Sequence, residues 1–392
     1  MASTLPLASL RRPPLHACTG LRFIAALGVV GYHFYNPSQE PTASRAFSHL
    51  LQAGSNMVGL FFVLSGFILA YNYLGERGGF VGSTWDFYRA RFARIYPVYL
   101  LALVVDVPLF LLHLRQSEPP ATAGELAGIG AATLSLTQAW FQTGRPAWNT
   151  MAWTLSVEAF FYALFPFLGA WLARQGSRRL LAVAAGVWLL GTTPYLAGAL
   201  VSPGATSLLE RGLLAWSRWP QDLVPVVLLP QFVLGVCLGV LFCRRTPQGS
   251  EAWRTVALLG TVAVLAAVVI ALPPKPSALV NSAVLIPLFA LGIWLLASGV
   301  VWNGLLLGTR PLVLLGGASY ALYLMHGSMM GYALAVNTRT LTLPHNLVAL
   351  LMVPVVVVSS MGVFKVLEEP ARHWLRRLGR ARSTASAPGS RA

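Results

Sequence analysis

The chain is built from long apolar runs separated by short polar connections. Ten runs approach the roughly 20 residues that a helix needs to cross a bilayer core. They lie at about 20–38, 55–75, 95–114, 149–173, 179–200, 224–243, 253–272, 280–302, 311–334 and 346–367. A further run, about 124–142, is weaker and rich in Gly, Ala, Ser and Thr. The pattern predicts an all-α polytopic membrane bundle of about ten transmembrane helices. It shows no useful internal repeat and no appended soluble domain.

Composition supports lipid as the solvent. Of 392 residues, 56% are hydrophobic and 10% charged, with mean hydropathy +0.65. Soluble domains carry about 25% charged residues. The net charge of +16 would suggest nucleic-acid binding in a soluble protein. In this chain basic loops that fix orientation account for it, and no nucleic-acid partner is expected. Cys18, Cys237 and Cys243 form no paired spacing, so neither a disulfide framework nor a metal site is expected. Arg11 and Arg12 before an apolar run resemble a signal peptide, but no small-residue cleavage site follows. Arg22 and His33 also lie inside the run, which reads as a retained first span.

Charge decides how to treat 124–142. With a cytoplasmic N-terminus and no crossing there, 21 of the 28 basic residues fall on the inner side and seven on the outer. A crossing would turn the basic C-terminal tail outward. The positive-inside rule therefore favours ten spans with both ends cytoplasmic, and 124–142 becomes a re-entrant or outer-face helix. Residues 1–19 read as a cytoplasmic segment, 20–370 as the membrane domain, and 371–392 as a basic tail, disordered at its end.

Ionisable side chains within spans are costly and each asks for a reason. Arg22 and His33 are eleven residues apart, which places them on one helical stripe about 16 Å apart. Imidazole suits a general base. Ser65-Gly66 reads as a helix contact, with Ser65 also able to bond a catalytic group. Arg89, Arg91 and Arg94 lie in the stretch leading into the third span. Arg91 and Arg94 share a helical face, either as snorkelling anchors or as a phosphate clamp. Tyr96-Pro97 marks where the chain enters the membrane. Glu158, in Trp153-Thr-Leu-Ser156-Val-Glu158-Ala-Phe-Phe-Tyr162, has no Lys or Arg within a turn and calls for a partner on another helix, best a histidine. Depth counting puts His33 and Glu158 near mid-membrane or slightly outward, where the pair could abstract a hydroxyl proton. Ser319, Tyr323 and His326 recur on one face that lines a cavity, with a structural or substrate-contact role favoured for His326. Pro370 is expected to stop the last helix, with Glu368 and Glu369 in local ion pairs.

Taken together, these residues resemble the membrane acyltransferase 3 family, which includes O-antigen and macrolide O-acyltransferases. Arg22, ten residues and His33 resemble its first motif, and Phe61-Phe-Val-Leu-Ser65-Gly66-Phe its second. Arg89, Arg91 and Arg94 are similar to its arginine motif, and Trp153-Thr-Leu-Ser156-Val-Glu158 with Phe161-Tyr162 to its glutamate motif. Ser319-Tyr320 through His326, then Glu369-Pro370, are similar to its C-terminal motifs. The resemblance implies transfer of an acyl group, by analogy acetyl, from acyl-CoA to a hydroxyl of a glycan, lipid-linked sugar or small glycosylated acceptor, in a bacterial inner membrane. It implies His33 as base and Glu158 as its support. Arg22, Arg89, Arg91 and Arg94 would hold the nucleotide end of CoA. Ser65, Ser156, Tyr162, Ser319, Tyr320, Tyr323 and His326 would support the site or contact substrate. Acyl-CoA would be a donor substrate, with no permanently bound cofactor. A transporter is the non-enzyme reading of the same buried charges, and an acyl-carrying export partner a third.

Overall fold

The protein is described from a computed structural model, in which residues 12–39, 44–75, 79–141, 146–200, 224–244, 249–271, 278–300 and 306–374 are placed. Ten helices among these residues are long and apolar enough to cross a membrane. The first is α1, His16–Phe34. A short helix α2, Arg45–Gln52, leads into α3, Met57–Tyr73. Next come α4 (Thr84–Arg115), α5 (Ala123–Leu134), α6 (Trp153–Ala173) and α7 (Ser177–Leu200). The second half holds α8 (Val224–Arg244), α9 (Glu251–Ala271), α10 (Ala278–Ala297), α11 (Arg310–Thr340) and α12 (His345–Trp374).

The weak segment behaves as its composition suggested. α5 has 12 residues, about 18 Å, well short of the roughly 30 Å hydrocarbon core. A capping box closes its start: Thr122 accepts from the Glu125 N–H at 3.2 Å and Glu125 accepts from the Thr122 N–H at 2.8 Å. The helix therefore begins and ends without crossing.

Three boundaries differ from the sequence expectation. α1 ends at Phe34 rather than continuing to 38, so His33 occupies its last turn, about 25 Å along the helix. The arginine stretch before Pro97 is already helical: α4 runs 32 residues straight through Pro97 and Pro108. Pro370 likewise does not stop the last helix, which continues to Trp374. A π-helical turn over Phe364–Glu368 precedes it, and such a turn accommodates the carbonyl that a proline cannot bond. The tail from residue 375 and the first eleven residues lie outside the described residues.

The centre of the bundle is built by close helix approaches. α3 and α8 meet through glycines: a Cβ on Gly66 would stand 2.2 Å from the Phe232 carbonyl oxygen, and one on Gly235 2.0 Å from that of Val63. Only glycine fits at either position, which fulfils the helix-contact reading of Ser65-Gly66. Phe161 stacks on Phe232 beside this seam, with ring centroids 4.7 Å apart. α1 lies along α11, and α11 also packs against α4 and α12. α9, by contrast, turns nearly all its surface outward. The polar residues of α1, α3, α6 and α11 are thereby gathered inside the bundle.

Candidate active site

A partly open cavity of about 60 Å³ lies between α1, α3, α6 and α11. Its wall carries Arg22, Ser65, Glu158, Ser319, Tyr320 and Tyr323 among apolar neighbours. Glu158 sits on the sixth position of α6. Its Oε1 accepts from Ser65 Oγ at 3.3 Å and, through a short bond, from the Tyr162 hydroxyl one turn along. Ser65 thus bonds the carboxylate, as its position in the sequence allowed. Arg22 faces the same cavity with its Nε buried and without a hydrogen-bond partner among the described residues. Ser319 donates to the Gly316 carbonyl at 2.8 Å and Tyr320 to the Ile95 carbonyl at 2.9 Å. Those two residues therefore brace α11 while their surfaces line the cavity.

The expected contact between His33 and Glu158 is not formed among the described residues. Glu158 is held by Ser65 and Tyr162, whereas His33 turns to a second histidine. Nε2 of His326 lies 3.2 Å from Nδ1 of His33, with ring centroids 5.0 Å apart. Nδ1 of His33 also lies 2.9 Å from the Val29 carbonyl, and Nδ1 of His326 lies 2.7 Å from the Tyr323 carbonyl. A carbonyl oxygen only accepts, so both Nδ1 atoms carry the proton in these bonds. Nε2 of His326 is then an acceptor for His33. Among the described residues Nε2 of His33 has no hydrogen-bond partner and keeps its lone pair, on a residue that is exposed while His326 is fully buried.

The three arginines of α4 do not form one clamp. Arg89 is tied to Asp86 at 2.5 Å. Arg91 donates to the Tyr73 hydroxyl at 3.1 Å and lies over the rings of Tyr73, Phe87 and Tyr162, 5.5 to 5.7 Å from their centroids. This aromatic cage holds the guanidinium by cation–π attraction. Arg94 has no hydrogen-bond partner among the described residues and shares an electrostatic environment with Arg22 and Glu368. Arg94 and Arg22 are thus the members of the predicted set most open to an anion.

Some residues carry roles that their sequence position did not show. Ser156 is buried and accepts from the Ala139 N–H at 3.2 Å, so it ties down the segment after α5 rather than facing the cavity. The Glu369 ion pair with Lys365, 2.9 Å, is local and exposed as expected. Glu368 differs, with a side chain only 1% exposed, 3.7 Å from Arg372 at the π-helical turn. Asp106, buried in α4, accepts from the Asn149 N–H at 2.9 Å and from the Ser328 hydroxyl. Asn149 in turn donates to the Leu324 carbonyl at 3.2 Å. A lone Asp late in an apolar span was a visible signal for this network, but its partners lie 43 and 222 residues away.

A bundle of ten candidate spans with a charged internal cavity and a histidine pair between α1 and α11 defines a polytopic membrane protein with ionisable groups inside its fold. The chain belongs to the acyltransferase 3 family: residues 15–364 match that family's acyltransferase domain. It is 32% identical to Acyltransferase MdmB of Streptomyces mycarofaciens, with 95% of each chain covered. It is also 36% identical over 92 residues to Protein 2 in picA locus of Rhizobium radiobacter, covering 24% of this chain and 44% of that one. No solved structure matches. The protein is therefore a membrane acyltransferase, one that transfers groups other than aminoacyl groups between an acyl donor and a hydroxyl acceptor.

Proposed function

We propose that the protein transfers an acyl group, acetyl by family analogy, from acyl-CoA to a hydroxyl of a sugar, glycan or glycosylated natural product, with His33 as general base. The observation that carries this reading is the His33 ring itself, whose Nδ1 is taken up by the Val29 carbonyl and a second imidazole, which leaves Nε2 as the nitrogen without a hydrogen bond among the described residues. In the proposed reaction the acceptor hydroxyl gives its proton to that Nε2 as its oxygen attacks the thioester carbonyl. The carbon–sulfur bond breaks, and the departing thiolate takes the proton back from the imidazolium.

The donor is placed by charge. Arg22 stands about 16 Å from His33 along α1, a span suited to a pantetheine arm, and Arg94 adds a second cation for phosphate. On the ten-span count 21 basic residues fall on the inner side against seven on the outer, which supports a cytoplasmic donor side and cytoplasmic termini. The relation to the Streptomyces mycarofaciens acyltransferase supports the transfer chemistry itself.

Purified protein in nanodiscs, given acetyl-CoA and a panel of alkyl glycosides, tests the reading. Hydroxyl-dependent release of the CoA thiol, with the acetyl group recovered as an ester, is the expected result. Movement of solute across proteoliposomes without thiol release would replace it with the transporter reading. Thiol release with the acetyl group held on the protein would favour the export-partner reading.

A further inference from the structure

We propose that His326 is the positioning residue of the transfer reaction, fixing His33 as a base through Nε2, the part the sequence pattern assigned to Glu158. The inference rests on the reading of His33 as general base. Its observations are independent of that reading, because they concern how one ring is held by another.

An imidazole can carry its single proton on either nitrogen. As a base toward an exposed acceptor, His33 needs the proton on its inward Nδ1. Two acceptors converge on that atom: the Val29 carbonyl at 2.9 Å and His326 Nε2 at 3.2 Å. The carbonyl is part of α1 and turns with it. His326 is the acceptor from another helix, and so it sets the rotation of the His33 ring relative to the rest of the bundle. For His326 to accept, its own proton must sit on Nδ1, and the Tyr323 carbonyl at 2.7 Å holds it there.

The turn of α11 that carries His326 is anchored on both sides. Asn149 bonds the Leu324 carbonyl, Ser328 bonds Asp106, and Tyr320 bonds the Ile95 carbonyl. His326 is fully buried. In an apolar bundle a neutral imidazole accepts this bond without bringing a permanent charge to the site, which a carboxylate would do at a high desolvation cost. When His33 takes the acceptor proton, its Nδ1–H bonds to His326 and Val29 stabilise the imidazolium. That proton then leaves with the thiolate, and His326 stays neutral throughout.

The test compares three substitutions assayed with acetyl-CoA and alkyl glycosides. Asparagine at 326 can place a polar atom near the Nδ1 position only, whereas glutamine reaches the Nε2 position. His326→Leu and His326→Asn are expected to lower kcat by about 10²-fold, the usual loss from a misplaced reacting group, with KM for acetyl-CoA little changed. His326→Gln is expected to recover about tenfold of that loss. Equal activity in the Asn and Gln variants, or wild-type kcat in all three, would overturn the proposal. Nitrogen-15 spectra of histidine-labelled wild-type protein give a check that needs no substitution: His33 should show a protonated Nδ1 and an unprotonated Nε2. The opposite tautomer overturns the proposal even if every variant fails to fold. Should His33→Ala retain full activity, the general-base reading itself fails. Should His33→Ala be inactive while the His326 variants keep wild-type kcat, only the positioning role falls.

Discussion

Replacing His33 with alanine is expected to lower acyl transfer by about 10²- to 10⁴-fold, the usual worth of a general base. The protein should still fold. His33 is exposed in the last turn of α1, and its substitution removes bonds to one carbonyl and one ring but nothing from the apolar core. KM for the donor should change little, because the cationic end that would receive phosphate is about 16 Å away. Initial rates of thiol release, normalised to monodisperse protein on size exclusion, measure both quantities. Full activity in this variant removes the base assignment.

Glu158→Ala is expected to lower kcat/KM by about 10²-fold by a different route. The change removes the acceptor of both Ser65 and Tyr162 and leaves Arg22 without an opposite charge in the cavity wall. Glu158→Gln keeps an acceptor but not the charge, and should lose about tenfold. The combination with His326→Asn separates this account from one in which Glu158 orients His33. Residues acting through separate partners have effects that multiply, whereas two members of one unit do not. A double variant no worse than the worse single variant would place Glu158 and His326 in one network and contradict the arrangement described here.

The bundle was legible because lipid-spanning helices are marked by length and apolarity alone, and each of the ten runs contains its own signal. α5 was legible in the same way, through what it lacked. Helix ends were less so. Pro370 suggests a stop, yet a π-helical turn just before it lets the helix continue to Trp374. The early end of α1 puts His33 in the last turn of that helix, where its ring meets His326.

Within the site, local partners could be foreseen and distant ones could not. Glu158 and Tyr162 are four apart on one helix, so their bond follows from helical spacing. His33 and His326 are 293 residues apart. Sequence supplied both rings and the reason for each to face inward. A carboxylate was the obvious partner for a base, but helix packing gave that place to an imidazole. Spacing put Arg91 and Arg94 on one face, as anchors or as a clamp, but did not show the aromatic cage of Tyr73, Phe87 and Tyr162 that holds Arg91. Such cages form between helices, and no periodicity within one helix announces them.

The most direct measurement is a cryo-electron microscopy structure in nanodiscs with a non-hydrolysable thioether analogue of acetyl-CoA. The expected result places the acyl carbonyl so that one hydroxyl oxygen fits between it and His33 Nε2, about 3 Å from each, with the phosphates toward Arg22 and Arg94. An acyl group seated far from His33, with Nε2 of that ring turned to lipid, would contradict it.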